Sequence, residues 1–191
     1  MINGLILPDK GEIYIDGRNI LAENLITLRR NIGYVIQGNI LFPHLTVAEN
    51  IAYVLHLKSY SKADIERIVT EKLQQVNLDP ELANRFPHQL SGGQQQRVGI
   101  ARALAANPDI ILMDEPFGAL DSITRHQLQR ELKALHLLSG ATLVFVTHDI
   151  AEALTLGTKV LVLDKGTIQQ YDTPERIKQH PANEFVKQLV N

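Results

Sequence analysis

Two short stretches of the chain carry residue types suited to phosphate and proton chemistry. Residues 110–116 read IILMDEP, an apolar run that ends in two adjacent carboxylates. Four apolar residues place this run as a strand in a core, so Asp114 and Glu115 emerge at its C-terminal end, where open α/β sheets put their ligands. Neighbouring strand residues point to opposite faces, which lets the two carboxylates take different tasks. One is suited to holding Mg2+, usually through water, and the other to taking a proton from an attacking water. An acidic strand end by itself is also what an ordinary surface presents. Residues 90–97, LSGGQQQR, place Ser91 as the N-cap of a helix whose apolar stripe is Val98, Ala101, Leu104 and Ala105. Gly92 and Gly93 allow a ligand close to the backbone. A helix N-terminus with N–H groups and a hydroxyl attracts anions, and a triphosphate is a natural occupant. A Ser-Gly-Gly turn alone also serves as a plain cap.

The elements that must hold these residues follow from periodicity. Short runs rich in Ile and Val alternate with segments of helical period, the pattern of an α/β domain with a mainly parallel sheet. Strands are expected near 12–15, 33–36, 110–113, 142–146, 159–163 and 167–170. Asp16-Gly17 and Asp164-Lys165-Gly166 are turn sequences, the second joining two strands as a hairpin. Between Thr46 and Ala106 strand signals stop and helical patterns at 47–57, 63–76 and 92–105 follow one another, flanked by Pro43 and Pro108. Thr46 with Glu49, and Ser61 with Asp64, have the form of N-caps with acidic first turns. The simplest account is one domain over 1–191, with an α/β core of 1–41 and 107–191 and an inserted helical subdomain of 42–106.

Bulk properties exclude several functions. A 191-residue chain with 45% apolar and 21% charged residues has material for one substantial core. A formal charge of −2 and the lack of a basic run argue against nucleic acid as a partner. Without cysteine there is no disulfide, thiol nucleophile or thiolate metal site. No apolar run approaches the ~20 residues of a membrane helix. The start lacks the basic region of a signal peptide.

The motifs together resemble the ABC (ATP-binding cassette) ATPases. LSGGQ at 90–94 is similar to that family's signature, and Tyr34-Val35-Ile36-Gln37 to the strand and glutamine of its Q-loop. Ile111-Leu112-Met113-Asp114-Glu115-Pro116 resembles Walker B with its catalytic glutamate. Gly118-Ala119-Leu120-Asp121 resembles the D-loop, and Val144-Phe145-Val146-Thr147-His148-Asp149 the strand and histidine of the H-loop. The resemblance implies a P-loop NTPase-like fold with ATP and Mg2+ as cofactors. It implies that Gln37 senses the γ-phosphate and joins Asp114 at Mg2+, that Glu115 orients and deprotonates water, and that His148 bonds the γ-phosphate. Ser91, Gly92, Gly93 and Gln94 would complete the nucleotide site of a second ABC ATPase subunit in a head-to-tail dimer, with Asp121 at that interface.

Longer stretches, among them PHQLSGGQQQRVGIARALAANPDIILMDEPFGALDSITR and QYDTPERIKQHPANEFV, look most like the ATPase subunits of quaternary-amine importers for glycine betaine, carnitine or choline. Importers of polyamines, sulfate or amino acids share much of the pattern. The implied partners are integral-membrane permease subunits, facing the residues after Gln37 such as Phe42 and Leu45, and indirectly an extracytoplasmic solute-binding protein. The implied location is the cytoplasmic face of the plasma membrane. Gln89 stands where many relatives carry an acidic residue, and many quaternary-amine ATPases continue into regulatory CBS domains. No residue run supplies the Walker A loop, GxxxxGK(S/T). The chain is therefore expected to start inside the helix that follows that loop, with Gly4 at the helix end and Pro8 its stop, and to be hydrolysis-deficient alone. A non-catalytic interaction module is the competing reading. A chromosome-maintenance ATPase would need heptads that are absent.

Overall fold

The computed structural model describes residues 1–38, 41–118 and 120–190. Residues 39 and 40 of the expected core stretch, Ala119 of the expected D-loop, and Asn191 lie outside the described residues. The chain divides into two compact units, Met1–Phe145 and Val146–Asn191. The division into a core and an inserted helical subdomain remains a proposal.

In the first unit, β1 (Tyr14–Ile15) and β2 (Arg18–Asn19) form an antiparallel hairpin. Its two-residue loop has Asp16 at φ +48° and Gly17 at φ +77°, the left-handed pair that matches strand twist. The strand expected at 12–15 is thus shorter than its apolar pattern suggests. Ahead of it, residues 1–5 contain a turn closed by the Gly4 N–H on the Met1 carbonyl at 2.8 Å. Asn24 then caps α1 (Leu25–Arg30) by accepting the N–H groups of Ile26 and Thr27.

β3 (Ile32–Val35) pairs in parallel with β4 (Ile110–Asp114), Ile32 opposite Ile110 and Val35 opposite Met113. β5 (Thr142–Val146) lies on the other side of β4. Between β3 and β4 come α2 (Val47–Leu57), α3 (Lys62–Gln75) and α4 (Gly92–Leu104), with no strand among the described residues there. Their starts are written locally. Thr46 and Glu49 form a reciprocal capping box, and Ser61 accepts the Asp64 N–H.

These helices pack through Val47, Ile51, Leu55, Leu73, Val98 and Ile100, all essentially inaccessible. α4 departs from the expected single stripe: Gln96, Arg97 and Gly99 are buried along with the apolar positions. A helix enclosed on most sides must find partners for its polar groups. Arg97 donates to the Val76 carbonyl at 2.8 Å and pairs with Glu131 of α5 (Ser122–Ser139). α4 also lies so near β3 that a Cβ on Gly33 would sit 2.5 Å from the Ala103 carbonyl oxygen, so only glycine fits there.

In the second unit, α6 (Ile150–Leu156) precedes the antiparallel hairpin of β6 (Val160–Asp164) and β7 (Thr167–Asp172), followed by α7 (Pro174–Gln179) and α8 (Glu184–Val190). Lys165 at φ +48° and Gly166 at φ +76° make the same kind of loop as Asp16-Gly17. Val160, Val162, Ile177 and Val186 form its small core. Among the described residues no helix is long and apolar enough to cross a membrane.

Candidate functional site

The parallel pairing of β3 and β4 brings two of the expected site residues together. Continuing the register from Val35 and Met113 by two residues sets Gln37 level with Glu115. Gln37 Nε2 donates to Glu115 Oε2 at 2.8 Å, across 78 positions of sequence. Asp114 ends β4 and is half-buried, as is Glu115, while Gln37 is exposed. Amide oxygen and carboxylate at neighbouring strand ends form a hard-donor set that suits Mg2+. No group of three or more His, Cys, Asp or Glu gathers as a metal site among the described residues.

Glu115 has φ +42°, a left-handed conformation that is costly for a side chain of this size. The turn behind it is tightly held. Gly118 N–H donates to the Glu115 carbonyl at 3.2 Å, and Phe117 is completely buried as an anchor. A Cβ on Gly118 would approach Glu115 Oε2 to 3.3 Å. The sequence signal for this turn was only the DEP triplet.

At the start of α4, Ser91 is the N-cap, as its sequence position suggests. Its Oγ accepts the Gln94 N–H at 3.3 Å, and Gln94 Oε1 accepts the Ser91 N–H at 2.9 Å. Gln94, expected at the nucleotide, thus spends its carboxamide oxygen on its own helix. Gly92 is exposed and has open space where a Cβ would stand, which leaves room for a ligand. Gly93 instead faces α5, where a Cβ would lie 3.0 Å from Thr124 Cγ2. Gln95 Nε2 ties back to the Pro87 and Leu90 carbonyls, and Gln89 Oε1 accepts the Phe86 N–H. Gln89 therefore closes the turn before the signature, a task an acidic residue would also perform.

Asp121 caps α5. Its carboxyl lies below the usual carboxylate range, first because the Thr124 hydroxyl donates to it at 2.6 Å, then because of the backbone N–H groups of Thr124 and Ile123. In the second unit His148 is exposed, and Asp149 rather than His148 caps α6, accepting the N–H groups of Ala151 and Glu152. The capping role that a histidine at a strand end could have had is thus already filled.

Asn50 and Gln96 were not among the residues expected from the sequence. Both occupy buried helix positions, and a polar residue on an otherwise apolar face was the available signal. Asn50 accepts the Phe42 N–H at 2.8 Å and donates to the carbonyls of Phe42, Leu45 and Thr46, holding the loop after Gln37. That loop borders a groove of about 270 Å3 between β3, α2 and α4. Phe42 sits there 4.6 Å from the Tyr53 ring, with the Arg102 guanidinium 5.4 Å above its centroid.

Residues 1–118 match the family described as ABC transporter. The whole chain aligns at 50% identity, over 190 residues, with the glycine betaine/carnitine/choline transport ATP-binding protein OpuCA of Bacillus subtilis (strain 168), covering 50% of that protein. It matches the choline transport ATP-binding protein OpuBA of the same strain equally, at 50% identity and 50% coverage. The chain spans about half the length of these curated relatives. Among solved structures, the dimeric post-hydrolysis state of the ATP-binding cassette MJ0796, bound to ADP and Pi, superimposes with a TM-score of 0.80 at 40% identity. That match covers 91% of this chain and 77% of that one.

Proposed function

Because the chain belongs to the ABC transporter family, we propose that it serves as the ATP-binding and ATP-hydrolysing subunit of an importer for a quaternary amine such as glycine betaine, carnitine or choline. The observation that carries this reading is the Gln37–Glu115 hydrogen bond, which sets a carboxylate base and a hard-donor amide side by side at the sheet end. Gln37 and Asp114 would hold Mg2+ on the phosphates of ATP. Bound ATP·Mg2+ supplies the phosphoryl group and the charge neutralisation that its transfer requires. Glu115 would orient and deprotonate water, and His148 would bond the γ-phosphate. Ser91, Gly92, Gly93 and Asp121 would serve the nucleotide of a second ABC ATPase subunit across a head-to-tail dimer.

The groove around Phe42, Tyr53 and Arg102 would receive a short helix of a permease, holding the protein at the cytoplasmic face of the membrane. Its apolar floor with two lining arginines, Arg30 and Arg102, supports that docking. A solute-binding protein would act through the permease. The quaternary-amine class is supported by the transport ascribed to OpuCA and OpuBA.

The 191 residues contain no GxxxxGK(S/T), so the chain by itself is proposed to be hydrolysis-deficient. Two measurements test these statements. The purified chain is expected to release no phosphate from ATP, and steady turnover would contradict the deficiency. Membrane vesicles carrying a quaternary-amine permease are expected to retain the chain, less so after Phe42→Asp, whereas vesicles carrying a sulfate permease are not. Equal retention on both would contradict the proposed class.

A further inference from the structure

The tract Gln94-Gln95-Gln96 is absorbed only in part by the roles above. Gln94 closes the cap of α4 and Gln95 reaches back to the preceding turn, but Gln96 points the other way. It is 5% exposed, and its Nε2 donates to the Pro116 carbonyl at 2.6 Å. Pro116 follows Glu115 directly, so this bond grips the Pro116–Phe117 peptide, one residue beyond the position at φ +42°. A left-handed glutamate persists only where its surroundings over-determine it. The constraints on it include buried Phe117, the Gly118 N–H on the Glu115 carbonyl, the Gln37 amide on the Glu115 carboxylate, and the Gln96 carboxamide. The Gln96 bond reaches the backbone of the turn from another element. That element is the helix whose first turn contains Ser91, Gly92 and Gly93.

We propose that Gln96 is a positioning residue that ties the signature helix to the turn bearing Glu115, so the place where a nucleotide would meet Gly92 is rigidly linked to the base of the same chain. The proposal rests on the ATPase reading for its functional meaning. The strut itself is a property of the folded chain. In a head-to-tail dimer Ser91–Gly93 would serve one nucleotide and Glu115 the other, so this buried bond would help join the two sites through one subunit. Gln96→Leu keeps the volume but removes the donor, leaving the Pro116 carbonyl without this partner. Gln96→Glu provides the sharper probe. As a carboxylate it cannot donate, whereas its protonated form presents an O–H to the same carbonyl.

The test is amide hydrogen exchange by NMR on the full chain, with wild type measured at each pH to remove intrinsic rate and global effects. In wild type, one Gln96 Nε2 proton is expected to be protected. In Gln96→Leu, Gly118 exchange is expected to rise about tenfold, the Gln37 side-chain amide resonances are expected to shift, and the amides of Ile51 and Leu55 are expected to change less than twofold. In Gln96→Glu, Gly118 protection is expected to be lost at neutral pH and restored on acidification. A packing role alone would produce no such pH-dependent rescue. Unprotected Gln96 protons in wild type overturn the proposal even if the variants fail to fold, as does wild-type Gly118 protection in Gln96→Leu, or in Gln96→Glu at neutral pH. No nucleotide enters these readouts, so their failure is distinguishable from failure of the ATPase reading.

Discussion

The helical segment from α2 to α4 and the strands near the C-terminal side handle the same kind of residue differently. In α2, α3 and α4, Val47, Ile51, Leu55, Leu73 and Val98 are essentially inaccessible, and the buried polar residues Asn50, Lys72, Gln96 and Arg97 each have hydrogen-bond partners. β5 has no buried residue, and its Val146 is 62% exposed. In the second unit, taken by itself, the β6–β7 hairpin turns Leu163 and Ile168 outward at 57% and 61% exposure. A helix buries one stripe against neighbours close in sequence, whereas a strand has two faces and each needs its own cover. The helical segment is therefore where single substitutions should be felt most, and the strands are where they should be tolerated.

The largest expected effect breaks the polar interior of the helical segment. Arg97→Met removes the cationic partner of Glu131 and a donor to the Val76 carbonyl, with both charged side chains nearly buried, while the Gln127 amide still donates to Glu131. It should cost about 3–5 kcal/mol in urea unfolding, because the remaining carboxylate loses its counter-charge. Arg97→Met combined with Glu131→Leu should recover much of that loss. Next, Leu55→Ala should cost about 2–5 kcal/mol, whereas Leu163→Ala on the exposed hairpin face should stay within about 0.5 kcal/mol. Equal losses at the two leucines would break the comparison. Asn50→Leu is expected to cost about 1–3 kcal/mol, since it leaves the Phe42 N–H and three carbonyls without this partner. It should also loosen Phe42 over the groove, seen as a shift of its ring resonances.

Much of this contrast was legible in the sequence. Helix starts at Thr46, Ser61 and Ser91 could be read because capping is a local code. β4 was legible because IILMD is uninterrupted, and the loops Asp16-Gly17 and Lys165-Gly166 because they meet the backbone demand of a tight hairpin. The pairing of Gln37 with Glu115 was not, since it arises from strand register across 78 positions. Gln96 and Asn50 were missed for a related reason. A polar residue on a helix reveals its partner only once the neighbouring element is in place.

The smallest expected effect concerns Asp121 at the start of α5. Its folded-state affinity for a proton is lowered by Thr124 and the backbone N–H groups. The cap therefore contributes above the unfolded-state value, about pH 3.9, and is lost as pH falls through the lower folded-state value. Asp121→Ala should be slightly less stable than wild type at neutral pH, with the two unfolding curves converging on the acid side. A difference unchanged down to pH 2 would contradict the cap.

The proposed function requires the start of α4 to meet a nucleotide held by a second subunit. Sedimentation velocity of the chain mixed with an intact quaternary-amine importer cassette, with and without Mg-ATP, measures this most directly. A heterodimer is expected that forms with Mg-ATP and fails to form with Gly92→Asp, a substitution for which the fold has open space. A heterodimer indifferent to Gly92→Asp, or no nucleotide-dependent association, would contradict it.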